Sequence, residues 1–457
     1  MAFDPDLMRR YDGRGPRYTS YPTALQFTSG FTEADYLRLA RESNQEPVPR
    51  DLSLYFHLPF CNEACWYCAC HRAITRREDR KQRYLDHLHQ AIARQARLFD
   101  DDRPVRQIHL GGGTPTVHAV GELAELIERV GEHFHFADPG QREFAIEIDP
   151  RTVSPEDVSE LAAIGFNRFS LGVQDFDPRV QAAINRHQSV EQVAELVRAA
   201  RRSGVESVSF DLIYGLPHQS LDGFRESLEA VAEIGPDRLS VYAYAHLPER
   251  FPVQKLIPSE ALPGPESRLQ LFASAVEVLT SRGYEHIGMD HFALAGDDLV
   301  RARDEDRLHR NFQGYSTQPD CDLVGMGASA ISGIGDSHAQ TDPDIARWQA
   351  AVAEDRIPVC KGIELDRDDR IRRDVIQAIM CRGLLDMAEV ERRHGIRFGD
   401  YFADTVAPLN QMVDDGLVRI DGQKLRVTPT GRFLVRSVAR LFDAYNGSDS
   451  RRFSRVI

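Results

Sequence analysis

The chain of 457 residues holds no run of 18 apolar residues, and its mean hydropathy is −0.41. A helix that crosses a membrane is therefore not expected. The opening MAFDPDLMRRYDGRG lacks the apolar stretch of a signal peptide, so secretion is not expected and the expected compartment is the cytoplasm. Basic charge is also short: 56 Lys and Arg face 70 Asp and Glu, for a net charge of −14. From Glu364 onward the balance is 17 basic against 15 acidic residues, so the last part has no nucleic-acid-binding excess either. What remains is 42% hydrophobic, 28% charged and 9% aromatic, the composition of a folded enzyme. At roughly 150 residues per domain, the length admits up to three domains, or one large α/β domain with appendages.

Cysteine is sparse but clustered. Of seven, Cys61, Cys65, Cys68 and Cys70 fall within ten residues, while Cys321, Cys360 and Cys381 are scattered. A long chain without a signal peptide does not read as a disulfide framework, and scattered cysteines in such chains behave as small buried hydrophobes. In YFHLPFCNEACWYCACHR the spacing is CxxxCxxC, directly after a strand pattern. Three thiolates on one short loop suit an iron–sulfur cluster, usually held by four; Cys70 is a nearby fourth. If Cys70 stays off the metal, one iron keeps an open position. A structural zinc site drawing on Cys70, His57 or His71 is the alternative, though such sites come as two separated pairs and no second CxxC exists.

From residue 52 onward short apolar or alternating runs recur, with helical patterns between most of them. Strands are expected at 52–58, 106–110, 143–149, 167–173, 206–213 and 238–244, with a further one at 284–290. Amphipathic helices are expected at 79–99, 121–134, 154–165, 189–204 and 220–235, several closed by Gly. Alternation of this kind implies a parallel sheet with right-handed crossovers, as a complete or an open barrel. Before it, GRGPRYTSYPTA is too aromatic for a loose tail and is expected to pack on something, followed by a helix over 32–41. After residue 364, helical stretches lead to LVRI-DG-QKLRVT, a hairpin expected to turn on Asp421-Gly422, and a last helix. This order resembles a winged-helix domain, read here as a structural cap or lid.

In a barrel of parallel strands, chemistry gathers at the C-terminal ends. There the sequence puts the cysteine loop, then Gly111-Gly112-Gly113-Thr114-Pro115, Glu147 and Asp149, Gln174 and Asp175, Asp211 with Tyr214-Gly215-Leu216-Pro217, and Tyr242 and Ala245. GGGTP is neither GxxxxGK[ST] nor GxGxxG; consecutive glycines let the backbone approach a ligand, or simply turn the chain. Glu147 and Asp211 suit a ligand role, or the capping of the next helix. Arg186 reads equally well as a surface cation.

The cluster loop, GGGTP, EIDPR, LGVQDF and DLIYGLP, in this order, resemble the radical S-adenosylmethionine superfamily. With RYTSYPTA, CxxxCxxCxC, YAHLP, IGMDHFA, HRNFQGY, GMGASAIS and the final FSRVI, the chain resembles throughout its length the family of oxygen-independent coproporphyrinogen III oxidases. The resemblance implies an α/β fold, a partial (β/α)6 TIM-like barrel of the radical SAM type. It implies that Cys61, Cys65 and Cys68 hold a [4Fe-4S] cluster whose free iron is chelated by S-adenosylmethionine. Tyr55, Gly112, Glu147 and Ile331 would contact this molecule. A second S-adenosylmethionine would meet Tyr67, Gly113, Thr114, Gln174, Arg186, Asp211 and Ala245. Tyr67 stands where Phe is the family form, and Ala69 where Gly is. Tyr55, Glu147 and Gln313 are the implied catalytic residues.

The implied reaction starts when the reduced cluster gives an electron to S-adenosylmethionine, which breaks into methionine and a 5′-deoxyadenosyl radical. The radical takes hydrogen from a propionate of coproporphyrinogen III, which loses carbon dioxide and an electron to leave a vinyl group. Two propionates react, giving protoporphyrinogen IX. Candidate partners for the substrate carboxylates are Arg10, Arg14, Arg17, Arg310 (with Gln313 and Tyr315 beside it), Arg452 and Arg455. The expected partners are the substrate and a small electron-transfer protein as reductant, with no nucleic acid, no membrane and a monomeric chain. The expected division is an N-terminal arm over 1–50 packing on the active site, a barrel core over 51–295, a connecting region over 296–363 and the helical, winged-helix-like domain over 364–457. A haem chaperone of the same superfamily is the alternative; it lacks the counterpart of Cys70 and the long N-terminal arm.

Overall fold

The computed structural model describes residues 4–11, 13, 15–311, 314–318 and 321–446. By contacts the chain forms two compact units: 27–268 with 320–364, and 1–26 with 269–319 and 365–457. Among the described residues no helix is long and apolar enough to cross a membrane.

The first unit is built on six parallel strands that lie side by side in chain order. They are β1 (Leu52–Leu58), β2 (Val105–Gly112), β3 (Glu143–Ile148), β4 (Arg168–Gln174), β5 (Ser207–Tyr214) and β6 (Arg238–Ala243). Helices α1 (Glu78–Ala96), α2 (Val120–His133), α3 (Pro155–Ile164), α4 (Pro178–Ile184), α5 (Val190–Arg202) and α6 (Leu221–Ile234) connect them. Side-by-side order through helical crossovers is the (β/α) barrel pattern, here left open. On the other side of β1, β7 (Asp322–Met326) runs parallel, from Leu52↔Asp322 to Phe56↔Met326. β8 (Ile331–Ile334), β9 (Ser337–Thr341) and β10 (Val359–Glu364) extend the sheet antiparallel. This extension was not expected from the sequence.

Alternation along the strands decides which face does what. Leu54, Phe56, Ile108, Leu110, Phe144, Ile146, Phe169, Leu171, Phe210 and Leu212 are buried. Their neighbours Tyr55, His109, Glu147, Ser170 and Asp211 are only partly buried. A period of two puts successive side chains on opposite faces, so these strands carry one apolar face and one polar face. Helix ends are fixed locally: Ser154, Asp177, Ser189 and Ser220 accept hydrogen bonds from first-turn N–H groups of α3, α4, α5 and α6.

In the second unit, Tyr284–Gly288 pairs antiparallel with His291–Leu294. The stretch expected to extend the parallel rhythm is thus one arm of a hairpin. Residues 365–446 run helix (Arg367–Gln377), strand (Leu384–Asp386), helix (Met387–His394), helix (Val406–Asp414) and hairpin (Val418–Asp421 with Lys424–Val427). This is the expected winged-helix-like order. Its turn is displaced by one residue: Asp421 pairs with Lys424, leaving Gly422-Gln423 at the tip, where Gly422 takes a φ of 60°. The last helix is short, Val435–Ala439, between 3-10 turns. The aromatic N-terminal arm is held within this unit. Tyr18 donates to Asp443 at 2.9 Å, the N–H of Ala444 donates to the Tyr21 hydroxyl at 3.0 Å, and Arg436 donates to the Pro16 carbonyl at 3.0 Å. Of the scattered cysteines only Cys381 is buried; Cys321 and Cys360 are half-exposed, against the expectation of three core thiols.

Candidate active site

The cysteine loop leaves β1 and is closed at its base by a short parallel ladder, Phe60↔Ala73 and Cys61↔Ile74. Its tip is anchored at four points. The N–H of Trp66 donates to the Ile184 carbonyl at 2.9 Å, and Asn185 Nδ2 donates to the Ala64 carbonyl at 2.8 Å. Gln254 Nε2 donates to the Tyr67 carbonyl at 2.9 Å. Trp66 and Tyr67 pack against Val180, Ile184, Ile213, Leu216, Tyr244 and Ile257. An aromatic ring at 67 therefore serves as an apolar anchor, a role that Tyr fills as Phe would.

At the C-terminal ends of β1–β6 lies a cavity of about 570 Å³, of the size that small-molecule sites take. Cys61, Cys65, Cys68 and Cys70 line it, with Tyr67, Gly112, Gly113 and Thr114. Glu147, Gln174, Arg186 and Asp211 line it as well. Tyr55, Ala245 and Ile331 are outside its lining, and Gln313 lies outside the described residues, as do Arg14, Arg452, Arg455 and the FSRVI motif. Ala245 is nonetheless tied to the loop, since Gln254 Nε2 reaches its carbonyl at 3.2 Å. Asp175 turns away: it is 1% exposed and accepts from Ser227 Oγ and Gln219 Nε2.

Glu147 caps no helix. His109 Nε2 donates to one carboxylate oxygen at 3.2 Å and the N–H of Gly112 to the other at 3.1 Å. Burial alone would raise its pKa; these two donors outweigh it and hold the carboxyl below its ordinary range. Gly112 has a φ of 112°, and a Cβ there would lie 2.5 Å from the His57 ring. His57 in turn contacts the Tyr55 hydroxyl through Nδ1 and the His71 carbonyl through Nε2, each at 3.0 Å. A carbonyl only accepts, so Nε2 carries the proton and Nδ1 accepts from Tyr55. Burial pushes the His57 pKa down to about 4, which keeps the ring neutral. His57 and His109 were not singled out for this role; His57 lies two positions along β1 from Tyr55 and His109 two positions along β2 from Gly111, and that period-two spacing is the signal that marks them.

Asp211 likewise caps no helix. Burial, then the charge of Glu147, pushes its pKa up to about 6, against hydrogen bonds from Ser240 and Ser170. Arg186 is 6% exposed and pairs with Asp149 at 2.8 Å, so it is no surface cation. It also donates to the Gly172 carbonyl, where a side chain on Gly172 would strike it. Its Nε has no hydrogen-bond partner among the described residues. Gln174 follows a bulge in the β4–β5 register and takes a φ of 66°, which redirects its side chain.

The four thiols differ. Burial pushes Cys61 up to about 11, partly offset by the Thr114 hydroxyl at 3.3 Å. A hydrogen bond from Cys70 brings Cys68 down to about 6, and the Cys70 N–H adds a donor at 3.4 Å. Cys65 Sγ receives two guanidinium groups, Arg151 Nη2 at 3.5 Å and Arg186 Nη1 at 3.6 Å. Arg151, absent from the sequence-derived set, is fixed by Asp149 at 2.7 Å. No three His, Cys, Asp or Glu side chains among the described residues meet at a single metal ion. An iron–sulfur cluster is held differently, each iron by its own thiolate. Four cysteines lining one cavity, the strand-end carboxylate of Glu147 and an orphaned buried guanidinium nitrogen fit such a cluster with an amino-acid-bearing cofactor.

The chain is similar to known proteins along its length. The radical SAM superfamily model matches residues 55–231 and the HemN C-terminal domain model residues 365–434. An oxygen-independent coproporphyrinogen III oxidase of Pseudomonas aeruginosa is 45% identical over 458 residues, covering 100% of this chain and 99% of that protein. Its Escherichia coli counterpart is 44% identical over 457 residues, covering 100% and 98%. The solved structure of coproporphyrinogen III oxidase (HemN) from Escherichia coli, a radical SAM enzyme, matches with a TM-score of 0.91 at 43% identity, covering 97% of this chain and 99% of that one.

Proposed function

Because the chain belongs to the oxygen-independent coproporphyrinogen III oxidase family of the radical SAM superfamily, we propose how its residues divide the work of decarboxylating coproporphyrinogen III in haem biosynthesis. The bound [4Fe-4S] cluster and S-adenosylmethionine supply the one-electron chemistry that removes hydrogen from a propionate. Two propionates become vinyl groups, giving protoporphyrinogen IX. Cys61, Cys65 and Cys68 hold the cluster, while Cys70 stays off it and donates to Cys68. Glu147, kept ionised by His109 and Gly112, receives the cofactor's ammonium group. Arg186 offers its guanidinium to a carboxylate, with Gln174 and Asp211 as further polar partners on the same wall. Tyr55 orients His57, and with Glu147 and Gln313 it completes the catalytic set. Gly113, Thr114, Tyr67 and Ala245 border space for a second S-adenosylmethionine, with Ile331 and Gly112 beside the first. The protein works as a cytoplasmic monomer that takes electrons from a small carrier protein.

The observation that carries this reading is the gathering of four cysteine sulfurs and Glu147, Arg186 and Asp211 around one cavity. The haem-carrier reading is not favoured, since relatives identical at 44–45% over the full length are named as oxidases. The test is anaerobic turnover: reduced, cluster-loaded protein with S-adenosylmethionine should convert coproporphyrinogen III to a divinyl product. Stable haem binding without decarboxylation would overturn it.

A further inference from the structure

We propose that the basic surface beside the cysteine loop, from Arg72 to Arg83, is where a small acidic protein docks to deliver electrons, an inference that rests on the cluster and carrier reading above. The chain as a whole carries −14, yet residues 72–83 hold six Lys and Arg against two acidic residues. Part of that charge is answered locally. Arg76 pairs with Glu63 at 2.7 Å, Arg77 with Asp79 at 2.7 Å and Lys81 with Glu78 at 2.8 Å. Arg72 reaches only the carbonyls of Cys65 and Cys70, at 3.4 and 3.5 Å. Arg80 and Arg83 are exposed on the first two turns of α1 and pair with no carboxylate among the described residues. Three cations are thus left uncompensated on one short run.

Position links this run to the cavity. Arg72 and Arg76 line it together with the four cysteines. Between them Ile74 pairs with Cys61, and the N–H of Thr75 donates to the Cys61 carbonyl at 2.9 Å. A single hydrogen bond therefore joins the run to a residue read as a cluster ligand. Ile74 is itself an exposed apolar side chain. An apolar centre with a charged rim is the anatomy of a protein contact, and electron-transfer encounters use small ones. An acidic protein meets repulsion from a chain of this net charge and attraction here, so it is steered to the face that adjoins the cysteines. Reduction needs one electron from outside: it leaves the reduced carrier for the oxidised cluster, with no bond broken and no proton moved.

The bland role of this run is a solvated start to α1, and the test separates the two. In cluster-loaded full-length protein without oxygen, the rate of cluster reduction is read from the loss of its visible absorbance. The electron sources are reduced flavodoxin and reduced plant-type ferredoxin, both acidic one-electron carriers, and photoreduced deazariboflavin, which is small, uncharged and needs no docking. R80E/R83E changes two exposed side chains outside the cavity lining, and acids early in a helix suit its dipole. It should slow reduction by both carriers roughly ten- to a hundredfold at low salt and leave the deazariboflavin rate unchanged. The parent's carrier rate should fall as salt rises. R198E/R202E, on α5, makes the same change in net charge elsewhere on the unit and should match the parent. Equal slowing in both double variants would assign the effect to net charge and overturn the proposal, as would a carrier rate in R80E/R83E equal to the parent's. If R80E/R83E does not fold, R80Q/R83Q and the parent's salt dependence decide, and a carrier rate indifferent to both overturns the proposal. A parent reduced by deazariboflavin but by neither carrier would overturn the docking surface alone; a parent that holds no iron and acid-labile sulfide would overturn the cluster reading with it.

Discussion

Gly112→Ala tests whether the geometry around Glu147 is built as tightly as it looks. The φ of 112° at this position is one that an L-residue adopts only with strain, worth about 1–2 kcal/mol. The added methyl would meet three atoms of the His57 ring at 2.5, 2.6 and 2.9 Å. His57 has little freedom to retreat, being 5% exposed and bonded at both nitrogens. Overpacking of this kind adds about 1–3 kcal/mol. The sum, about 2–5 kcal/mol, is a large share of the about 5–15 kcal/mol that domains have to lose. Gly121→Ala is the matched control: it sits in α2 with nothing within 4 Å of a new Cβ, and a helical Gly→Ala change should stabilise by up to about 1 kcal/mol. Guanidinium unfolding of the cluster-free proteins, followed by far-UV circular dichroism, should show a clear fall for Gly112→Ala and none for Gly121→Ala. A Gly112→Ala unfolding free energy within about 0.5 kcal/mol of the parent's, a difference typical of neutral surface changes, would refute the argument.

Other expectations concern the chemistry. Serine at Cys61, Cys65 or Cys68 should abolish iron and acid-labile sulfide after anaerobic reconstitution, whereas Cys70→Ser should retain both; loss of the cluster in Cys70→Ser would remove the three-ligand assignment. Arg151→Gln takes away a positive charge and a donor 3.5 Å from Cys65 Sγ, so the cluster's midpoint potential should fall in a redox titration followed by paramagnetic resonance, and an unmoved potential would leave Arg151 a purely structural role. Glu147→Ala should weaken S-adenosylmethionine binding in calorimetry while secondary structure is kept. Asp211 is raised from 3.8 to about 6 in the folded chain, so its contribution favours the folded state at low pH and is lost as pH rises from about 4 to about 6. Asp211→Asn should flatten the stability–pH profile across that window, and a profile identical to the parent's would count against the buried, Glu147-coupled placement of this carboxyl.

Local pattern carried a good part of this protein. The alternation of LSLYFHL, EFAIEID and ESVSFDLI marks strands with one polar face because side chains two apart share a face, whatever the rest of the chain does. Ser154, Ser189 and Ser220 mark helix starts for an equally local reason, the orphan N–H groups of a first turn. The helix Pro178–Ile184 carried the same signs, Asp177 as a cap and Pro178 behind it, but its seven residues are too few for periodicity to stand out. What the local pattern could not supply was distance across the fold. β7 is a wholly buried run with no alternation, and its place beside β1 depends on pairings such as Arg103 with Asp322 at 2.6 Å, 219 residues apart.

The same division holds at the cavity. The sequence determined that three cysteines leave one strand together, that glycines follow the next, that a carboxylate ends the third and that the fifth holds another, since each is a matter of neighbours along the chain. Tertiary structure alone decided that Arg186 and Arg151 converge on Cys65 and that His109 and Gly112 grip Glu147. Those contacts are set by sheet register and by where loops fold back. A one-residue slip in register would turn strand side chains such as His109 and Glu147 to the opposite face.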